Sequence, residues 1–232
     1  MPSSSPPPAR RRASRPPPPV DEAELRRRAA ELDGSTVGEL ARALGVLLPA
    51  EARRAKGAIG ALVERALGAT AGSRALPDFP HLGIELKTIP LDREGRVRES
   101  TFVCTVDLLE ADREEWLASR VRRKLGCVLW MPVEAARVAP LPERHFGTPR
   151  LWRPDPEEEA LLAADWHEAM SLIVLGQVER LDGYRGRALQ VRPKAATGEV
   201  RVEVLSTHAE AVSTVPRGFY LRARFTEALL WR

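Results

Sequence analysis

DFPHLGIELKTIP, residues 78–90, is the stretch on which the fold turns. Its second half alternates as a buried strand does, yet Glu85 and Lys87 stand two residues apart within it. Charged side chains in an apolar strand are costly unless something pairs them. In an extended chain Glu85 and Lys87 point to one face, while Ile84 and Leu86 point to the other. Asp78 lies seven residues before Glu85, where a turn brings it back alongside. Two carboxylates and a nearby backbone carbonyl make a hard oxygen site suited to Mg²⁺, which keeps waters and takes a phosphate oxygen. A lysine beside that ion can orient a hydroxide or neutralise charge developing on a phosphorane-like transition state. The layout D-x6-E-x-K is that of a metal-dependent phosphodiesterase.

The pattern alone is weakly specific. With each charged residue type at about 6% of an average chain, chance supplies E-x-K about once in this length. An ordinary surface pair on a strand edge therefore stands beside the catalytic reading. Lysine usage favours the second, because the chain has 32 arginines and only four lysines: Lys56, Lys87, Lys124 and Lys194. Where charge alone is needed, this chain uses arginine. The four lysines mark places that call for a compact primary amine rather than a planar fork.

Composition bounds the rest. The 232 residues are 44% hydrophobic and 29% charged, which fits one globular unit. The formal charge of +4 comes from the first 20 residues, where Arg10, Arg11, Arg12 and Arg15 meet no acid; the remainder carries 32 basic and 32 acidic residues. Nucleic-acid binding must rest on where charges sit, since the body is neutral. Cys104 and Cys127 have neither CxxC spacing nor a disulfide pattern, which points to a reducing cytoplasm. No apolar run reaches the roughly 18 residues that span a bilayer, and no secretion signal follows the early arginines. The four histidines lack ligand spacing, and no G-x-S-x-G, Walker or Rossmann signature supports acyl transfer or nucleotide hydrolysis.

Residues 1–20 are Pro/Ser/Arg-rich and read as a disordered tail with at most a loose electrostatic hold on DNA. From Asp21 the pattern turns helical, with Thr36 and Glu39 spaced as a capping box. A stripe of Ile59, Leu62, Val63, Ala66 and Leu67 predicts a further helix, with Glu64 beside the stripe. Strand character begins near Leu82. LGIELKTIP and STFVCTVDLL read as a hairpin or adjacent pair around DREGRV. GCVLWMPV reads as a buried strand, and Asp155-Pro156 opens a long helix expected to run to Arg180. Strands around RALQVRP, VRVEVL and GFYLRAR and a closing helix, FTEALLW, complete an α/β fold with a mixed sheet flanked by helices.

KGAIGALVERALGATAGS, DFPHLGIELKTIP, TFVCTV, VRRKLGCVLWMPVE, LWRPDPEEE, IVLGQVERL, QVRPKAA and PRGFYL closely resemble, in this order, the MutH family of mismatch-repair endonucleases. The likeness runs from Asp21 to residue 232, giving one endonuclease domain after the tail. It implies a type II restriction-endonuclease-like fold, shaped as a two-armed clamp around a DNA cleft. It implies a monomer that nicks the unmethylated strand 5′ to the G of hemimethylated GATC in double-stranded DNA. Mg²⁺ is the implied cofactor, and MutL the activator, with MutS acting through it. By motif, Asp78 and Glu85 would hold the metal and Lys87 would be the catalytic lysine. Glu64 would be a further active-site acid and Lys124 an active-site lysine on the scissile phosphate. Lys56 and Gly57 would form a DNA-contacting turn, and Arg192, Pro193 and Lys194 a base-contacting loop. Tyr220 would sense adenine methylation, while Phe102 fits a DNA-side or a core role.

The leader has no counterpart in the family pattern, the family continues a few residues beyond ALLWR, and 197–216 matches poorly. Two further readings keep their place: a GATC-specific restriction-type enzyme cutting both strands, and a DNA-binding module without catalysis.

Overall fold

The computed structural model describes residues 15–50, 52–72, 75–108, 110–181, 183–194, 202–205 and 211–231, with backbone alone for 52–56, 202–205 and 211–214. Three helices come first: α1 (Glu22–Ala30), α2 (Val37–Leu44) and α3 (Ala52–Leu67). The capping box is formed as the spacing predicts, Thr36 accepting from Glu39 N–H and Glu39 from Thr36 N–H. Ile59, Leu62, Val63 and Leu67 are buried, so the apolar stripe is the inner face of α3.

One mixed sheet has the order β1 (Glu85–Leu91), β3 (Val128–Glu134), β4 (Arg150–Trp152), with β1 and β3 parallel and β3 and β4 antiparallel. A second, antiparallel sheet has the order β2 (Thr101–Thr105), β8 (Arg217–Leu221), β5 (Leu189–Pro193). β6 (Val202–Leu205) and β7 (Ala211–Thr214) form a separate antiparallel pair. Helices α4 (Arg120–Leu125), α5 (Pro156–Val174) and α6 (Ala223–Leu230) complete the fold. Among the described residues, no helix is long and apolar enough to cross a membrane.

β3 is the wall between two cores. Val128 and Trp130 join the core built with α5 and the second sheet, while Leu129, Met131 and Val133 join the core of α1, α2 and α3. That two-sided burial follows from the period of two in an extended chain, and it explains an apolar run with no polar face.

Three expectations are corrected. β1 and β2 do not pair, because β1 is an edge strand and β2 belongs to the other sheet. Glu85 N–H donates to Cys127 O at 2.9 Å, so the nitrogens of Leu86, Thr88 and Pro90 point away from β3. Leu86 N–H is taken by Asp78 Oδ2 at 2.9 Å, and Pro90 has no N–H to offer. That edge is therefore poorly suited to accept a second strand. The strand also starts at Glu85 rather than Leu82, since 80–83 form a turn closed by Leu82 N–H to Phe79 O at 3.0 Å. Finally, α5 stops at Val174 instead of Arg180, where Gly176 takes a positive φ of 68° and turns the chain.

Candidate active site

Short-range geometry brings the acids together. Phe79 and Ile84 bridge each other, N to O at 2.9 and 3.3 Å, so the turn between them folds Asp78 back beside Glu85. The Asp78 carbonyl accepts from Thr70 and Ala71 N–H at 2.9 and 3.3 Å, fastening the segment after α3 to the same place. α3 packs against β1 and carries Glu64 on the side of these carboxylates.

Glu85 is only 1% exposed, and two lysines resolve its burial. Lys87 Nζ lies 2.6 Å from Glu85 Oε1. Lys124 Nζ, from the last turn of α4, lies 2.9 Å from both Glu85 oxygens and donates to Leu76 O at 3.3 Å. A buried charge this well paired is tolerated, whereas removing one partner leaves an uncompensated ion. Burial, and then the neighbouring Glu85 charge, hold the Asp78 carboxyl above the ordinary aspartate range. The Leu86 N–H, Lys87 and Lys124 oppose that rise. Glu64 is likewise raised, chiefly by burial and then by Asp78 and Glu85, with Arg15 and Lys87 opposing.

These residues fit Mg²⁺. Crowded, partly desolvated carboxylates are what a small hard cation relieves, and their donors are all oxygen. Among the described residues no three His, Cys, Asp or Glu side chains form a ready cage. Asp78 and Glu85 would thus supply the protein ligands, leaving other positions to water and phosphate.

A raised folded-state pKa has a definite sign. The Asp78 contribution to stability is complete below the unfolded value of about 3.9 and is lost as pH rises through the higher folded value. Asp78→Asn is therefore expected to stabilise the metal-free protein near neutrality by about 1 kcal/mol, a gain of about 2–4 °C in melting temperature. Thermal melts between pH 4 and 8 in chelator check this, the gain shrinking toward the acidic end. A variant that melts lower than wild type at pH 7.5 would contradict it.

The second constellation lies on the antiparallel sheet. Tyr220 on β8 sits opposite Phe102 on β2 and Gln190 on β5. The Phe102 and Tyr220 rings meet edge to face at 5.3 Å. Arg192 lies 5.8 Å over the Tyr220 ring, and Lys194 Nζ 4.8 Å over that of Phe102. Lys194 Nζ also donates to Thr105 Oγ1 at 2.8 Å, and its N–H to Pro216 O at 2.8 Å. Arg192, Pro193 and Lys194 are exposed, while the two rings are half-buried. Two amphipathic rings thus carry two cations on one surface. α4 packs against β2, which links Lys124 to this sheet.

A protein-family comparison matches residues 67–165 to the family described as DNA mismatch repair enzyme MutH. A DNA mismatch repair protein MutH of Serratia proteamaculans is 49% identical over 212 residues, covering 91% of this chain and 93% of that one. Proteins of the same name from Salmonella paratyphi B and Klebsiella pneumoniae are 50% and 48% identical over 211 residues, covering 91% of each chain. This chain belongs to the MutH family. Its α/β core is accordingly of the restriction-endonuclease-like type.

Of the residues singled out by their likeness to MutH, Glu85, Lys87 and Lys124 form one hydrogen-bonded cluster, with Asp78 held alongside by Leu86 N–H and Glu64 beside them. Phe102, Arg192, Lys194 and Tyr220 form the second, and Pro193 ends β5 between its two cations. Lys56 and Gly57 lie within the second turn of α3 and not in a turn between elements; Gly57 is exposed, and the Lys56 side chain lies outside the described residues. Gly57 precedes Glu64 by seven residues on the same helix face. The 197–216 segment, apart from 202–205 and 211–216, also lies outside them.

Supports for the antiparallel sheet escaped the sequence reading. Asp165 on α5 accepts from the N–H groups of Arg187, Ala188 and Leu189 at 2.6 to 3.0 Å, which aims the start of β5. Arg222 gathers the carbonyls of Gly183, Arg185 and Gly186 at 2.7 to 3.0 Å. Gly218 was visible as a glycine inside a strand, a common sign of close approach. A Cβ there would lie 2.9 Å from the Phe102 ring and 3.3 Å from Cys104 O. Gly218→Ala is expected to cost about 1–3 kcal/mol through overpacking and to displace the ring pair. An unchanged melting temperature would contradict this close approach.

Proposed function

We propose that the protein is a Mg²⁺-dependent endonuclease that nicks the unmethylated strand 5′ to the G of hemimethylated GATC sites when activated by MutL. Membership of the MutH family makes it a DNA endonuclease of mismatch repair. The observation that carries the finer reading is Glu85, buried between two lysines with Asp78 alongside. Mg²⁺ held by Asp78 and Glu85 would supply Lewis-acid activation of the scissile phosphate and of water.

The chain's own groups do the positioning. Lys87 Nζ, on the same strand face as Glu85, donates to the attacking water or hydroxide and orients it. Lys124 Nζ approaches from α4 and places positive charge where the phosphate oxygens gain negative charge. An incoming phosphodiester offers both ammonium groups a second anion. On the reading surface, Arg192 and Lys194 present donors to DNA, and Tyr220 stands where the adenine N6 edge is read in the major groove. A methyl group there changes both shape and hydrogen bonding, which is the basis proposed for rejecting the methylated strand.

Plasmid relaxation tests the reaction. A supercoiled, unmethylated plasmid with a single GATC should become nicked circles with Mg²⁺ and stay intact in chelator. Linear product at comparable rate would indicate the restriction-type enzyme, and no cutting under any condition would indicate a binding module.

A further inference from the structure

Residues 16–20 lie against the body and touch it on two sides. Arg28 Nη1 donates to Pro17 O at 2.7 Å and to Leu67 O at 3.4 Å, joining α1, this segment and the end of α3. Glu24 holds the rest of that guanidinium at 2.5 and 3.1 Å and accepts Val20 N–H at 2.7 Å. On the other side, His81 Nε2 sits 2.7 Å from Pro19 O, and Pro19 is buried. A carbonyl oxygen only accepts, so Nε2 carries the proton and donates. At Gly68 a Cβ would lie 2.6 Å from Pro17 O and 3.2 Å from Pro16 O, and φ there is 80°. Glycine is thus required for the segment to cross so close to the end of α3. Four consecutive prolines, Pro16 to Pro19, make the crossing stiff, since each fixes φ and none brings an N–H that needs a partner.

This strap meets the two pieces of chain that carry the acids beside Glu85. Gly68 follows Glu64 by four residues, and His81 follows Asp78 by three, in the turn that returns Asp78 to Glu85. Arg15, which precedes the prolines, is exposed and brings its charge to bear on the Glu64 carboxylate. The segment after α3 and the turn are also tied directly, by the Thr70 and Ala71 N–H groups on Asp78 O at 2.9 and 3.3 Å. Those two bonds share one acceptor and so fix one point. A second attachment, at His81, fixes the orientation of the turn as well.

We propose that His81 is a positioning residue for the metal site: through its bond to Pro19 O, the Pro16–Val20 strap braces the Asp78 turn against the end of α3. The brace holds the Asp78 carboxylate in place relative to Glu85 and Glu64. In this role His81 touches neither metal nor DNA, and its proton stays on Nε2. This rests on the nuclease reading above.

The test compares the full-length chain as wild type, His81→Ala, His81→Gln and Thr148→Val. Glutamine carries an Nε2 donor for the same carbonyl, and alanine carries none. Thr148→Val gives up a side-chain hydrogen bond to Asp33 instead, and so controls for a loss of stability alone. Three quantities are read: Mn²⁺ binding from the EPR signal of the free ion, duplex affinity in chelator, and single-turnover nicking at a fixed, subsaturating Mg²⁺ concentration. His81→Ala is expected to bind Mn²⁺ and to nick about 3–10-fold less well, the range that one lost hydrogen bond allows, with duplex affinity within about twofold of wild type. His81→Gln should recover most of both losses, and Thr148→Val should show neither. Wild-type Mn²⁺ affinity in His81→Ala would overturn the brace while leaving the nuclease reading intact, as would equal losses in His81→Gln or Thr148→Val. A fall in duplex affinity in His81→Ala would also overturn it, by placing His81 against DNA. Wild type that neither binds Mn²⁺ nor nicks would sink the nuclease reading, and the brace with it.

Discussion

Glu85→Gln is expected to reduce nicking by about 10³-fold or more, because it removes a proposed metal ligand and the shared anchor of two lysines. Binding should move the other way. Removing a negative charge beside the phosphate path should leave duplex affinity in chelator equal to wild type or higher. Stability should fall, since Lys87 and Lys124, both 14% exposed, would face each other without their counter-charge. Single-turnover nicking, equilibrium binding and thermal melting read the three effects separately. Asp78→Ala should share the loss of nicking. Wild-type nicking by either variant with Mg²⁺ would end the metal assignment.

Tyr220→Ala should act on the choice of strand. Discriminating contacts to a base edge are worth about 1–3 kcal/mol, so the preference for the unmethylated strand should fall by about 10–100-fold. The variant also removes the ring that Arg192 covers and that Phe102 meets edge to face. Some overall affinity should therefore be lost, but the ratio of rates is the diagnostic quantity. Tyr220→Phe keeps both ring contacts and isolates the hydroxyl. A uniform fall in both rates on Tyr220→Ala, with the ratio unchanged, would place this tyrosine in sheet packing alone.

What the sequence made legible was local. Asp78 and Glu85 were readable as neighbours because the turn between them is short and Gly83 permits it, with φ at 67°. The same-face placement of Glu85 and Lys87 followed from strand periodicity alone. By contrast, β1 pairs in parallel with β3, a partner some 40 residues away, and the blocked edge depends on which way the Pro90 nitrogen points. No local pattern carries that information, so the hairpin with β2 was the natural but wrong expectation. Lys124 reaches Glu85 from another element, and only the scarcity of lysine and the family likeness pointed to it. The contacts of residues 16–20 with the body were hidden for a related reason. Their hydrogen bonds run from distant Arg28 and His81 to backbone carbonyls, which every sequence possesses. Asp165 and Arg222 support β5 through carbonyls and N–H groups in the same way, and so left no composition signal.

The most direct test of the central claim is strand-resolved cleavage of one hemimethylated GATC duplex with Mg²⁺, each strand carrying its own end label, with and without MutL. Nicking confined to the unmethylated strand, 5′ to the G, and accelerated by MutL is the predicted result. Equal cutting of both strands, or a rate indifferent to MutL, would contradict it.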